Sequence, residues 1–302
     1  MAAVEYGSQD RGPGGDRRVN WTILAVGAVI SGFISLSIHV VMLQVLDVAY
    51  PQDGGAPTWA RMPILMGAMA AACVFYGMAR PALAKRGPVL AVLALFALLA
   101  MGRESLRLIV MNGVVTTAWV YALAGAVPGL LVALGSAALV VAASAFTRGP
   151  VSRLVAGVII GAIVLLGLQP LIAHVWKPVM AALSGFDHDE VYQMPYGWQV
   201  EIPAYLTFVE PVASCLAMAA LIWDKLSARP LTRLAQFMLL VLFLRGLVLR
   251  PFLYSFFIPA PLGAAMLSES QFFFEYLALG LLTGLTWQFA RPGAKGAGGT
   301  GA

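Results

Sequence analysis

The chain has 302 residues, of which 60% are hydrophobic and only 11% are charged, and its mean hydropathy is +0.85. Soluble domains carry about 25% charged residues, so this composition excludes an ordinary soluble protein and indicates an integral membrane protein. The 19 Lys and Arg residues outnumber the 14 Asp and Glu residues, but they lie in short groups between apolar stretches, which argues against nucleic-acid binding.

Eight apolar segments, each long enough to cross a bilayer, follow one another along the chain. They cover residues 21–46, 62–79, 88–111, 118–146, 154–176, 202–223, 234–257 and 266–290. A polar tail at 1–20 precedes them and a Gly- and Ala-rich tail at 291–302 follows, and we expect both tails to be flexible and cytoplasmic. The sequence therefore predicts an all-α integral membrane protein with eight transmembrane helices.

The distribution of positive charge predicts how these helices are oriented. If the N-terminus is cytoplasmic, thirteen of the 19 basic residues lie on the cytoplasmic side, whereas only Arg61 and Lys177 lie on the opposite side. Short loops rich in Lys and Arg stay in the cytoplasm. We therefore expect a multi-pass protein of the cell's inner (plasma) membrane with both termini in the cytoplasm.

Similar residues recur at a nearly constant separation, which suggests an internal duplication. Arg245 lies 142 positions after Arg103, and Arg250 lies 143 positions after Arg107. We interpret the chain as two parallel four-helix repeats, and the alternative is that the matches only reflect similar composition. The two halves are residues 21–148 and 149–290.

Charged side chains within the predicted spans form the first candidate site. A charge near the middle of a span costs about 2.5–3.5 kcal/mol on insertion scales, so such residues usually face a bundle interior or a cavity. Counting residues along each helix places most of one set of them at similar depths in the outer half of the membrane, with Arg245 deeper, near the midplane. These candidate ligand-binding residues are Arg245, Arg250, Glu210, Glu275, Arg103, Arg107 and Glu104, with Glu269 as a further counter-ion. The competing interpretation is that the pairs only fasten helices together, or that those near the helix ends reach the interface.

Two histidines form a second candidate site. His39 and His174 occupy similar positions in the first and fifth segments, and two imidazoles facing each other could bind haem b as axial ligands. The alternative is that each histidine packs inside a helix or carries a proton. We predict no metal site, because the consecutive acidic residues at 187–190 are typical of a solvated loop. The longer outer loop, 177–201, is either a lid over the bundle or an interfacial connector.

Three functional hypotheses remain open at this stage. The first is binding, and translocation, of a small anionic or lipid-phosphate ligand at the arginine and glutamate cluster, reached from the outer side. The second is a redox or enzyme subunit that holds haem b or a quinone near the outer face. The third is a membrane scaffold or assembly factor that contacts a membrane protein partner or a second copy of itself. Motifs for nucleotide hydrolysis, dinucleotide binding, zinc proteolysis and serine hydrolysis are absent from the sequence.

Overall fold

The computed structural model describes residues 19–51, 55–116, 118–187 and 196–291, and within these ranges the chain forms helices and no strands. The predicted tails lie almost wholly outside them, as does the middle of the outer loop. The helices before residue 149 are α1 (Trp21–Gln44), α2 (Thr58–Leu83), α3 (Pro88–Gly102), α4 (Ser105–Met111) and α5 (Trp119–Ala143). The later ones are α6 (Pro150–Ile163), α7 (Gln169–Ala182), α8 (Trp198–Thr207), α9 (Val209–Ile222), α10 (Pro230–Leu244), α11 (Arg250–Tyr254), α12 (Leu262–Glu269) and α13 (Gln271–Ala290).

Local sequence signals explain where several helices begin. The side chain of Asn20 caps α1 by accepting a hydrogen bond of 3.1 Å from the amide of Ile23. Pro88, Pro150 and Pro230 open α3, α6 and α10, where a proline is tolerated because the first amides of a helix have no intrahelical acceptor.

Small residues allow the closest helix packing in the bundle, between α2 and α6. A Cβ added at Gly157 would lie 2.2 Å from the Cα of Ala70, and one added at Gly161 would lie 2.6 Å from the Cα of Met66. Elsewhere α1 packs on α13, α10 packs on both α13 and α2, and α3 packs on α5 and α9. Close backbone contact through glycine is typical of helix pairs within membranes.

The outer surface of the bundle is apolar, as expected for a protein surrounded by lipid. Val29 and Phe33 of α1 are 73% and 60% exposed, and many other large apolar side chains along the helices are exposed as well. Soluble proteins rarely expose continuous apolar surface on this scale. Five helical segments are long and apolar enough to cross a membrane, and six if the bent pair α3 and α4 counts as one span. The structure is therefore that of a helical, multi-pass membrane protein.

The stretch 234–257, expected to be one helix, is interrupted. Helix α10 ends at Leu244, and helical structure resumes only with α11 at Arg250. The residue responsible is Gly246, whose φ of 72° lies in the left-handed region that ends helices. The predicted segment 88–111 is also broken, because α3 and α4 meet at an angle of 49°. Irregular backbone at membrane depth is tolerated where protein or a water-filled cavity surrounds it, and both interruptions lie at the cluster described next.

Candidate functional site: a buried cluster of arginines and glutamates

The break between α3 and α4 places two charged residues at the centre of the bundle. Arg103 is the C-cap residue of α3, and Glu104 follows with a φ of 58°, a left-handed conformation that is unfavourable for a residue with a Cβ. Such strained residues persist when surrounding contacts hold them, and they concentrate at functional sites. The contacts that hold Glu104 are given below.

Glu210 stabilises the beginning of α4 across the interface with α9. Its carboxylate accepts hydrogen bonds from the amides of Leu106, at 2.9 Å, and Arg107, at 2.7 Å. These amides have no intrahelical acceptor, and a carboxylate at a helix N-terminus is favoured by the helix dipole. The structure thus assigns Glu210 an intramolecular role that the sequence pattern did not indicate.

Glu104 is the centre of the cluster. Its buried carboxylate forms an ion pair with Arg107 one turn along α4, and a second ion pair with Arg245, whose Nη2 lies 3.0 Å from Oε1. The hydroxyl of Tyr276 also lies within hydrogen-bond distance of Oε1. One carboxylate therefore faces two guanidiniums and a phenol, which explains how the strained backbone at Glu104 is retained.

Tyr276 and Arg245 form the second layer of contacts around Glu104. The guanidinium of Arg245 lies over the Tyr276 ring, 4.5 Å from its centroid, in a cation–π arrangement. The Tyr276 hydroxyl is also 3.0 Å from the carbonyl oxygen of Gly102, at the end of α3. Tyr276 therefore links α13 to the breaks in both α3 and α10.

Arg250 belongs to a separate pair. Its Nε donates to Glu269 at 2.8 Å, and its guanidinium lies 5.0 Å from the centre of the Tyr254 ring. Glu269 is fully buried. The structure thus directs Arg245 and Arg250 to different carboxylates, instead of the shared anion site that the sequence suggested.

Arg103 differs from the other three arginines in having no counter-ion. Within the described ranges its side chain makes no hydrogen bond or ion pair. It lines a cavity of about 20 Å³ together with Arg245, Tyr276 and Cys215, and the remaining walls are apolar or backbone. A cavity of this size has room for about one water-sized group. The Nε of Arg245 is also buried and lacks a partner among the described residues.

Glu275 is the complementary case, a carboxylate without donors. It is fully buried on α13, directly before Tyr276, and both of its oxygens lack hydrogen-bond partners within the described part of the chain. Its charged neighbours are Glu104, Arg107 and Arg245. Buried polar atoms are rarely left unsatisfied, so Glu275 is suited to take up a proton or a bound group. With it, the cluster contains four arginines and four glutamates.

The two histidines lie in different surroundings. His39 is buried and stacks on Phe272, with 4.9 Å between ring centroids, and it contacts Tyr50 edge-on at 5.9 Å. Its Nδ1 has no partner among the described residues. His174 is exposed on α7, which packs against α5. The structure therefore does not present them as two ligands facing one haem. No group of three or more metal-binding side chains occurs in the described ranges.

Sequence reasoning missed two residues of the cluster, Tyr276 and Gly246. Both directly follow a charged residue that the sequence did single out, Glu275 and Arg245 respectively. A phenol beside an intramembrane carboxylate, and a glycine beside an intramembrane arginine, are the signals that could have found them.

Comparison of the chain with known proteins gives no match to a family model, a curated protein or a solved structure.

Proposed function

We propose that the protein crosses the inner (plasma) membrane eight times, with both termini in the cytoplasm, and that its cluster binds an anion. The interrupted segments α10–α11 and α12–α13 would complete the eight spans when added to the six that length and composition support. The basic loops between spans favour this orientation.

The interruptions in α3 and α10 support the proposal that the chain is a tandem duplication. Arg103 and Arg245 are each the C-cap residue directly after a helix, and the residue that follows each of them, Glu104 or Gly246, has positive φ. The packing of the two halves also corresponds. Helix α3 contacts α5 of its own half and α9 of the other, and α10 contacts α13 of its own half and α2 of the other. Two related halves with broken third helices meeting at a central site are typical of transporters.

The ligand we propose is a small oxyanion or the phosphate of a lipid, bound between Arg103 and Arg245. The observation that carries this proposal is that Arg103 lacks a counter-ion within the described ranges while sharing a cavity with a second guanidinium. Two neighbouring guanidiniums repel each other unless an anion lies near them, and planar guanidiniums suit oxyanions. One oxygen of the anion would occupy the cavity.

The cluster keeps limited contact with the outside. The side chains of Arg245 and Arg250 are 21% and 27% exposed, although their carboxylate partners are buried. On its other side the cavity is bounded by apolar residues such as Leu98 and Met218. An anion would therefore approach from the outer end of the bundle, and rearrangement at the two helix breaks would widen the site.

Glu275 would balance the charge of the bound anion by taking up a proton. Among the described residues its oxygens find no donor, and its charged neighbours include Arg245, which lines the proposed site. Carboxylates in this position are typical of proton-coupled membrane proteins. The proposed activity is therefore anion binding coupled to protonation, as one step of translocation.

Binding of inorganic phosphate and of short-chain phosphatidic acid to the purified protein tests this proposal. We expect Arg103→Gln to raise the dissociation constant of the probe about tenfold or more, since a charge-assisted hydrogen bond is lost. Because Arg103 takes no part in the ion pairs of Glu104, the variant should unfold as the wild type does. The matched control is Arg148→Gln, at an exposed position.

The two probes distinguish a free anion from a lipid phosphate. Binding of phosphatidic acid that Arg103→Gln weakens, without binding of phosphate, identifies a lipid ligand at this site. Binding of phosphate that the same variant weakens identifies a small anion. If wild-type protein binds neither probe, or if Arg103→Gln binds both as tightly as the wild type, the proposed anion site is wrong.

A further inference from the structure

A second cavity lies at the opposite end of the bundle from the cluster's open side. It is a groove of about 470 Å³ between α2, α6 and α10, a volume within the range of about 300–1,000 Å³ that ligand sites have. Its walls are mostly apolar, with Val74 and Met78 on one side and Leu239 and Phe243 on the other. From Gly67 to Met78 it follows α2 for about 16 Å, at 1.5 Å per residue.

The mouth of this groove is positively charged. Lys225 lines it, and its side chain makes no hydrogen bond or ion pair with the described residues. The side chain of Arg153 lies across Gly77, because a Cβ added there would be 2.4 Å from its Nε. Gly77 directly precedes Met78 of the groove, so Arg153 lies beside the same end of α2, and its side chain makes no hydrogen bond or ion pair with the described residues.

The loop that carries Lys225 is held in place by its neighbours. The amide of Ser227 donates to Gln236 at 2.8 Å, and Arg233 donates through Nε to the carbonyl of Ser227 at 2.7 Å. Arg233 also lies over the ring of Trp223, 5.8 Å from its centroid. Lys225 is therefore presented from a fixed backbone, which favours recognition of a ligand at this position.

We propose that this groove binds an anionic phospholipid, with one acyl chain along α2 and the phosphate between Lys225 and Arg153. Basic pockets between membrane helices recognise anionic headgroups, and the apolar depth of the groove suits a hydrocarbon chain. A second copy of this protein would bring its own Lys225 and Arg153 to the same mouth in a symmetric contact, and the like charges would repel. The lipid supplies negative charge, which none of the described residues that line the groove carries.

The inner end of the groove reaches the cluster, so a bound lipid would also affect the helix that carries Arg245. Phe243 forms this end and lies two residues before Arg245, and its ring would be 3.5 Å from a Cβ added at Gly67. An acyl chain against Phe243 would stabilise the last turn of α10, directly before the break. The lipid site is nevertheless distinct from the proposed anion site, since they have no lining residue in common.

Native mass spectrometry of the full-length protein, loaded with phosphatidylglycerol or phosphatidylcholine of equal chain length, tests the proposal. We expect wild-type protein to prefer phosphatidylglycerol, and the preference to fall about fivefold in Lys225→Gln and about thirtyfold in the double variant Lys225→Gln/Arg153→Gln. The matched control for charge is Lys85→Gln, at an exposed position that does not line the groove.

A second variant tests the apolar part of the groove without changing charge. Val74→Trp should fill it and reduce retention of both lipids, whereas Val155→Trp, on the exposed face of α6, should not. Equal retention of phosphatidylglycerol by wild type and the double variant would overturn the proposal, as would a dimer that Val74→Trp dissociates. The double variant leaves the cavity of Arg103 and Arg245 unchanged, so phosphate binding by that variant reports on the anion proposal separately from this result.

Discussion

Glu104 and Gly246 lie 142 positions apart, and each adopts a left-handed backbone directly after an arginine that ends its helix. Glycine adopts this conformation without strain, whereas glutamate does not. Glu104 therefore has an energetically unfavourable backbone conformation, and the ion pairs of its carboxylate with Arg107 and Arg245 explain why it is retained. The backbone geometry is shared by both positions, but the charge is present at only one.

Replacing Gly246 with alanine should destabilise the protein. A Cβ at this position would lie 2.7 Å from Cγ2 of Ile64, and the left-handed conformation itself costs about 1–2 kcal/mol for a residue with a Cβ. We expect the free energy of unfolding, measured by tryptophan fluorescence in mixed micelles, to fall by at least about that amount. Gly129→Ala is the control, since nothing lies within 4 Å of its added Cβ. Equal stability of the two variants would contradict the assigned break in α10.

Neutralising Glu104 should lower the free energy of unfolding more than neutralising any exposed carboxylate does. In Glu104→Gln the guanidiniums of Arg107 and Arg245 lose their shared counter-ion, and breaking a buried pair in this way costs about 3–5 kcal/mol. The same unfolding measurement checks this. Glu201→Gln serves as control, because Glu201 accepts one hydrogen bond from Gln44, at 3.0 Å, that an amide can replace. A wild-type unfolding curve for Glu104→Gln would show that the cluster does not stabilise the fold.

Glu275 should determine whether anion binding takes up a proton. If its carboxylate becomes protonated as the anion enters, wild-type protein should take up about one proton per phosphate bound, since a buried uncompensated charge is strongly disfavoured. Titration calorimetry in two buffers of different ionisation enthalpy measures this number. We expect Glu275→Gln to bind without proton uptake and Asp224→Asn, near the surface, to behave as the wild type. Undiminished uptake in Glu275→Gln would assign the proton to another group.

Labelling of single cysteines should establish the orientation. Cys73 and Cys215 are both buried, so a membrane-impermeant maleimide should not reach them in intact cells. In a variant without them, we expect Ser184→Cys to be labelled from outside and Ala228→Cys only after the membrane is opened, since positive-inside orientation places these exposed residues on opposite sides. The opposite labelling pattern would invert the topology, and labelling of both from outside would contradict eight spans.

The helical class of the protein could be predicted from the sequence because apolar composition dictates it, as the exposed faces of α1 and α6 illustrate. The interruptions in the segments 88–111 and 234–257 could not be predicted, since the hydropathy of a segment does not depend on whether one residue, such as Glu104 or Gly246, has a positive φ. Counting residues along helices indicated that most of the charged side chains share a level, with Arg245 deeper, but it did not indicate how they pair. The pairing of Arg245 with Glu104 instead of Glu210 depends on the bend between α3 and α4, which turns Glu104 inward.

The equal numbers of arginines and glutamates in the cluster bear on its response to voltage. A transmembrane potential does work of about 2.3 kcal/mol per elementary charge per 100 mV only on net charge that moves through the field. Four guanidiniums that move together with four ionised carboxylates carry none, so the centre in that state is unsuited to sensing voltage. A monovalent guest accompanied by one proton would preserve that neutrality, and its occupancy would follow concentration and pH but not the electrical state of the membrane.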